Sequence, residues 1–177
     1  MFEKYTERAC RVMFFARYEA SQSGSKLIKS EHLLLGLFRE SKTLFFGVQP
    51  LNGIRDELTK FAEMGEKIST SIDLPLSDEV KRIFFNAQEE AKQLKHGRVG
   101  HEHMLLGIFR EERCLAAEVL RTCGMDISTV RVHVSTKYLE QSELDTEVTE
   151  KASSRAELLD RISALVEKAK REITSQE

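Results

Sequence analysis

The chain has 177 residues, and its 27 basic side chains nearly balance its 29 acidic ones, for a formal net charge of −2. That balance leaves no global field to draw nucleic acid or an anionic membrane surface, so neither is expected as a partner. With no apolar run near the roughly 20 residues that span a bilayer, no signal-peptide core at Met1-Phe2-Glu3, and three cysteines (Cys10, Cys114, Cys123) lacking CxxC spacing, the expectation is a soluble, cytoplasmic chain with packed, reduced thiols.

The first helix is expected from Thr6, an N-cap, through Ala9, Val12, Met13, Ala16 and Ala20, which recur at three- and four-residue steps on one face. Gly24 is a plausible stop. Ser30 is expected to cap a second helix from Glu31 to about Glu40, with Leu33, Leu34 and Leu37 inward. Residues from Leu44 to Phe61 are broken by Gly47 and Pro50 and reach a last helix early. Ser77 is expected to cap the next helix, with Val80, Ile83, Phe84, Ala87 and Ala91 buried and Gly97 and Gly100 breaking it. Glu102 to about Glu112, Leu115 to Leu120, and Asp126 to about Tyr138 complete the helical series.

These elements repeat. Glu31-His32-Leu33-Leu34-Leu35-Gly36-Leu37-Phe38-Arg39-Glu40 returns 71 residues later as Glu102-His103-Met104-Leu105-Leu106-Gly107-Ile108-Phe109-Arg110-Glu111. The same offset carries Arg11 onto Arg82, Phe14 onto Phe85 and Glu19 onto Glu90. The chain is an internal duplication. It predicts an all-α fold of two four-helix repeats about a pseudo-twofold axis, repeat one spanning about 1–64 and repeat two about 72–138.

Between 139 and 151 the composition turns acidic, with Glu140, Glu143, Asp145, Glu147 and Glu150 and no basic residue before Lys151, which reads as a linker. From 152 to 177 a final amphipathic helix is expected, opened by a Ser154/Glu157 capping box. Its stripe of Leu158, Ile162, Leu165 and Ala169 asks for a partner, either the domain or a second copy of the chain.

The two Glu-His-hydrophobic-Leu-Leu-Gly helices and the opening Tyr5-Thr6-Glu7-Arg8-Ala9 resemble the Clp N-terminal domain, the double four-helix module of the Clp/Hsp100 protein-unfolding ATPases, and most nearly its ClpC-type members. No Gly-x-x-x-x-Gly-Lys-Ser/Thr loop occurs in the chain, so the phosphate cradle of an ATPase is missing. The resemblance implies a non-enzymatic module that binds protein substrates or an adaptor and works with a Clp ATPase. A regulatory subunit that docks on a Clp assembly, or oligomerises through the last helix, is the alternative.

The resemblance also implies a ligand. In ClpC-type domains the glutamates matching Glu31 and Glu102 grip the guanidinium of phosphorylated arginine, while helix N-termini hold the phosphate. Carried over, Thr6 with Glu31 forms a first site and Ser77 with Glu102 a second. Asp78, Glu79 and His101 are expected to spoil the second by charge and crowding. Without that resemblance, Glu31 and Glu102 are simply first-turn acids that complement a helix dipole.

His32 and His103 are expected to be packed and hydrogen-bonded. Side chains two apart on a helix diverge by about 200°, so His101 and His103 do not share a metal ion, and no metal or cofactor is expected. No Ser-His-Asp or Cys-His motif supports catalysis. Adjacent phenylalanines cannot both face inward, so one each of Phe14/Phe15 and Phe84/Phe85 is a candidate for a substrate-binding groove.

Overall fold

In a computed structural model, residues 3–45, 53–61 and 65–136 are described. Residues 1–134 form one compact unit. The expected acidic linker and last helix fall in a second unit, 135–177, and lie outside the described residues.

Every regular element among the described residues is helical. Repeat one contains α1 (Glu7–Ser23), α2 (Ser30–Glu40), a single 3-10 turn (Lys42–Phe45) and α3 (Gly53–Phe61). Repeat two contains α4 (Asp78–Gln93), α5 (His101–Arg110), α6 (Leu115–Thr122) and α7, residues 127–136. Thr6 and Ser77 cap α1 and α4 as expected, each accepting an N–H three residues on, from Ala9 and Val80. Asp126 caps α7 by accepting from the Ser128 and Thr129 amides. The foreshortening of repeat one is visible in its ion pairs. Arg55 on α3 and Arg131 on α7 hold the equivalent carboxylates Glu19 and Glu90, so α3 stands for α7, and the 3-10 turn stands in place of α6.

The core is built from the repeated apolar faces. Ala9, Val12, Ala16 and Ala20 of α1 pack on Leu33, Leu34 and Leu37 of α2, and the equivalent residues of α4 pack on α5. Gly36 and Gly107, equivalent under the 71-residue offset, set the spacing of these pairs. A Cβ on Gly36 would lie 2.6 Å from the Val12 carbonyl oxygen, and one on Gly107 would lie 2.5 Å from that of Ile83. The glycine of the repeated motif is therefore a requirement of close helix approach.

The repeats are stitched together at two parallel bridges, Tyr5 with Val99 and Ile28 with Leu76. Under the offset, Tyr5 corresponds to Leu76 and Ile28 to Val99, so the two bridges exchange with one another. This is the pseudo-twofold relation written in hydrogen bonds. Thr6 N–H donates to Val99 O at 2.9 Å and Ser77 N–H to Ile28 O at 3.0 Å.

Two local expectations are corrected. Ser30 does not cap α2: Lys29 occupies the cap position and Ser30 is the first helical residue. Gly97 does not end α4, which stops at Gln93 with Lys95 in a left-handed turn (φ 57°), the counterpart of Gly24 (φ 72°). Among the described residues no helix is long and apolar enough to cross a membrane.

Candidate functional site

The bridges cross the two sites expected from sequence. Thr6 is bonded to the loop that leads into α5 and Glu102, and Ser77 to the loop that leads into α2 and Glu31. Thr6 thus belongs with Glu102 and Ser77 with Glu31, the reverse of the sequence pairing.

At the α5 end, Glu102 is folded back over its own cap residue. A Cβ on Gly100 would meet the Glu102 carboxylate, which lies directly over it. His101 Nδ1 lies 2.7 Å from Glu102 Oε2 and donates to it. Burial alone would raise this carboxyl, but the His101 hydrogen bond, its own backbone N–H and the nearby imidazoles hold it at about 2. Glu102 is therefore an anion throughout the physiological range. His101 anchors the carboxylate, and its buried Nε2 has no hydrogen-bond partner among the described residues. Arg8, two residues beyond Thr6, lies 3.6 Å from Glu40, whose field also includes His101.

At the α2 end the same positions carry different residues. Glu79, the counterpart of Arg8, reaches across from α4 and accepts the Ser30 backbone N–H at 2.8 Å. An internal carboxylate thus occupies the first amide of α2, where an anion would otherwise bind. Glu31 is shifted opposite to Glu102: burial pushes its carboxyl above the ordinary range, and the Glu79 charge adds to the rise despite Lys29. Asp78 turns away to pair with Lys81 at 2.7 Å. The negative charges expected beside Glu102 stand beside Glu31 instead.

The repeated histidines hydrogen-bond the cap residues of α2 and α5. His32 Nδ1 accepts the Lys29 N–H at 3.0 Å, and His103 Nδ1 accepts that of Gly100 at 2.8 Å. Each stands where the glutamate or glutamine of a capping box would. With Nδ1 accepting, the neutral ring carries its proton on Nε2. That proton goes to Ser23 Oγ (3.0 Å) from His32 and to His96 Nδ1 (2.8 Å) from His103. Burial, first of all, lowers both histidines to about 4. They are packed, hydrogen-bonded and neutral. Among the described residues no group of three or more His, Cys, Asp or Glu side chains is arranged to hold a metal ion.

The groove candidates divide. Phe84 is buried with its ring edge-on to Tyr5, at 5.8 Å, and Phe15 is half-buried. Phe14 and Phe85, equivalent under the offset, are 67% and 63% exposed. Sequence reasoning assigned no role to Glu19 and Glu90. Each is clamped by two arginines, Arg39 and Arg55 for Glu19, and Arg110 and Arg131 for Glu90. The repeated Phe-Arg-Glu ending of α2 and α5 was the available signal.

A cleft of about 700 Å³ opens beside the α1–α2 turn of repeat one. Its rim includes Lys26, Lys29, Arg55 and Lys67, with Glu31 and His32 on one wall.

A helical double repeat whose helix N-termini face the opposite copy defines the class, and comparison with known proteins gives the family. Residues 75–177 match the model of the Clp repeat (R) N-terminal domain. The chain belongs to that family. It is 36% identical over 139 residues, 76% of its length, to the chloroplastic chaperone protein ClpC of Pisum sativum. It is 35% identical over 159 residues, 87% of its length, to chloroplastic ClpC1 of Arabidopsis thaliana. These matches span only 15% and 17% of the relatives' own lengths. The N-terminal domain of ClpD from Arabidopsis thaliana superposes with a TM-score of 0.63 at 25% identity, covering 79% of this chain and 97% of that one. The Hsp104 N-terminal domain of Candida albicans has the same fold, with a TM-score of 0.61 at 16% identity over 73% of this chain and 88% of that one.

Proposed function

We propose that this domain is a non-catalytic binding module of the Clp/Hsp100 system, taking protein substrates or an adaptor, and that it reads phosphoarginine at the α5 end. The observation that carries the finer reading is the union, at one place, of the α1 N-terminus with a fully ionised Glu102. A carboxylate held charged by His101 suits a guanidinium. The first-turn amides of α1, its dipole and Arg8 suit the phosphate. The α2 end is less suited, because Glu79 already accepts the Ser30 amide there and burial disfavours the charged form of Glu31.

The test is calorimetric titration with free phosphoarginine. Binding is expected in the wild type, lost in Glu102→Ala, and retained within about twofold in Glu31→Ala, which lies outside the α5 end. Loss in Glu31→Ala with Glu102→Ala unaffected would place the site at α2 instead. Silence in the wild type would retire phosphoarginine and leave the binding-module reading to be carried by the exposed Phe14 and Phe85.

A further inference from the structure

The cleft beside the α1–α2 turn of repeat one lies at a turn where the two copies differ in sequence. Ser25 in repeat one corresponds to His96 in repeat two. In repeat two the His96 ring packs edge-on against His103, with centroids 4.9 Å apart. In repeat one the equivalent histidine, His32, is satisfied by Ser23 instead, and the small Ser23, Gly24 and Ser25 leave the space open. At about 700 Å³ it falls within the size range of ligand sites.

Its rim is cationic. Lys26, Lys29 and Lys67 make no ion pair among the described residues, and Arg55 is the fourth basic group. Of the two carboxylates present, Glu19 is already neutralised by Arg39 and Arg55. Among the described lining residues, that leaves Glu31 as the one acid beside three ammonium groups that make no ion pair with a described residue. The lining also offers aliphatic surface at Leu27 and Leu35, too much for a bare inorganic anion to use. We infer that this cleft binds an acidic peptide segment, its carboxylates on Lys26, Lys29 and Lys67 and an aliphatic side chain against Leu27 and Leu35. It is a second binding site, separate from the α5 end and facing a different chemistry.

Glu31 then acts against the ligand, which makes its removal diagnostic. The probe is a short dye-labelled peptide of alternating glutamate and leucine, followed by fluorescence anisotropy with the full chain, beside a lysine–leucine control. The glutamate peptide is expected to bind and the control not. The Lys26→Glu/Lys67→Glu double variant, altered only at exposed positions, should weaken binding at least about tenfold, and added salt should weaken it in the wild type. Glu31→Gln should tighten binding about two- to threefold. Equal binding by the double variant, equal binding of the control, or weaker binding by Glu31→Gln would each overturn the assignment. Phosphoarginine titration depends on Glu102, so failure here leaves that reading to stand or fall separately.

Discussion

The Glu79 carboxylate accepts the Ser30 backbone N–H at 2.8 Å from the opposite repeat, whereas its counterpart Arg8 lies 3.6 Å from Glu40. The two ends also differ at Lys29 opposite Gly100 and Ser30 opposite His101, but Glu79 is the one that takes up a helix amide. Replacing Glu79 should bring them closer. Glu79→Arg is expected to free the α2 N-terminus, remove one of the influences that raise the Glu31 carboxyl, and add a second phosphoarginine-binding event to the calorimetric isotherm. Loss of the cap should cost about 1 kcal/mol in urea unfolding. An unchanged stoichiometry would show that Glu79 is not what closes that end.

The duplication, the helical class and the caps at Thr6 and Ser77 were legible because they rest on spacing and on local chemistry. The crossed pairing was not. Which helix N-terminus meets which glutamate depends on two backbone bridges at Tyr5–Val99 and Ile28–Leu76. Bridges of that kind leave no periodicity in the side chains, so the resemblance paired Thr6 with Glu31, whereas the backbone bonds Thr6 to the loop before Glu102. The capping role of His32 and His103 was hidden for a related reason: imidazole is not among the usual capping residues, and Ser30 drew the assignment.

The two neutral histidines predict a pH dependence with a definite sign. Both lie near 4 in the fold against 6.5 for the free side chain. Above 6.5 they are neutral in both states and contribute no slope. As pH falls from 6.5 towards 4 the unfolded chain takes up protons that the folded one refuses, and stability drops. Each full shift is worth roughly 3 kcal/mol by pH 4. Urea midpoints measured from pH 7 to 5 should decline, and His32→Gln, which keeps an acceptor for the Lys29 amide, should flatten that decline. A His32→Gln slope equal to wild type would rule out His32 as a source.

Helix spacing at Gly36 and Gly107 gives a third prediction. A methyl group at either position must displace backbone, since the obstructing atoms are carbonyl oxygens of α1 and α4. Gly36→Ala and Gly107→Ala should each destabilise by about 1–3 kcal/mol, despite the higher helix propensity of alanine. Thermal melts decide it: an unchanged or raised midpoint would mean that the helix pairs separate without cost.

The exchange of bridges bears on how such a protein could have arisen. A lone repeat supplies a helix N-terminus for one pocket and a glutamate for the other, and completes neither. Its ancestor as a free single unit would have needed a second identical molecule, and identity would have forced both pockets to be the same. Joining the copies in one polypeptide lifts that constraint, and Arg8 opposite Glu79, like Ser25 opposite His96, are differences that only a fused pair can hold.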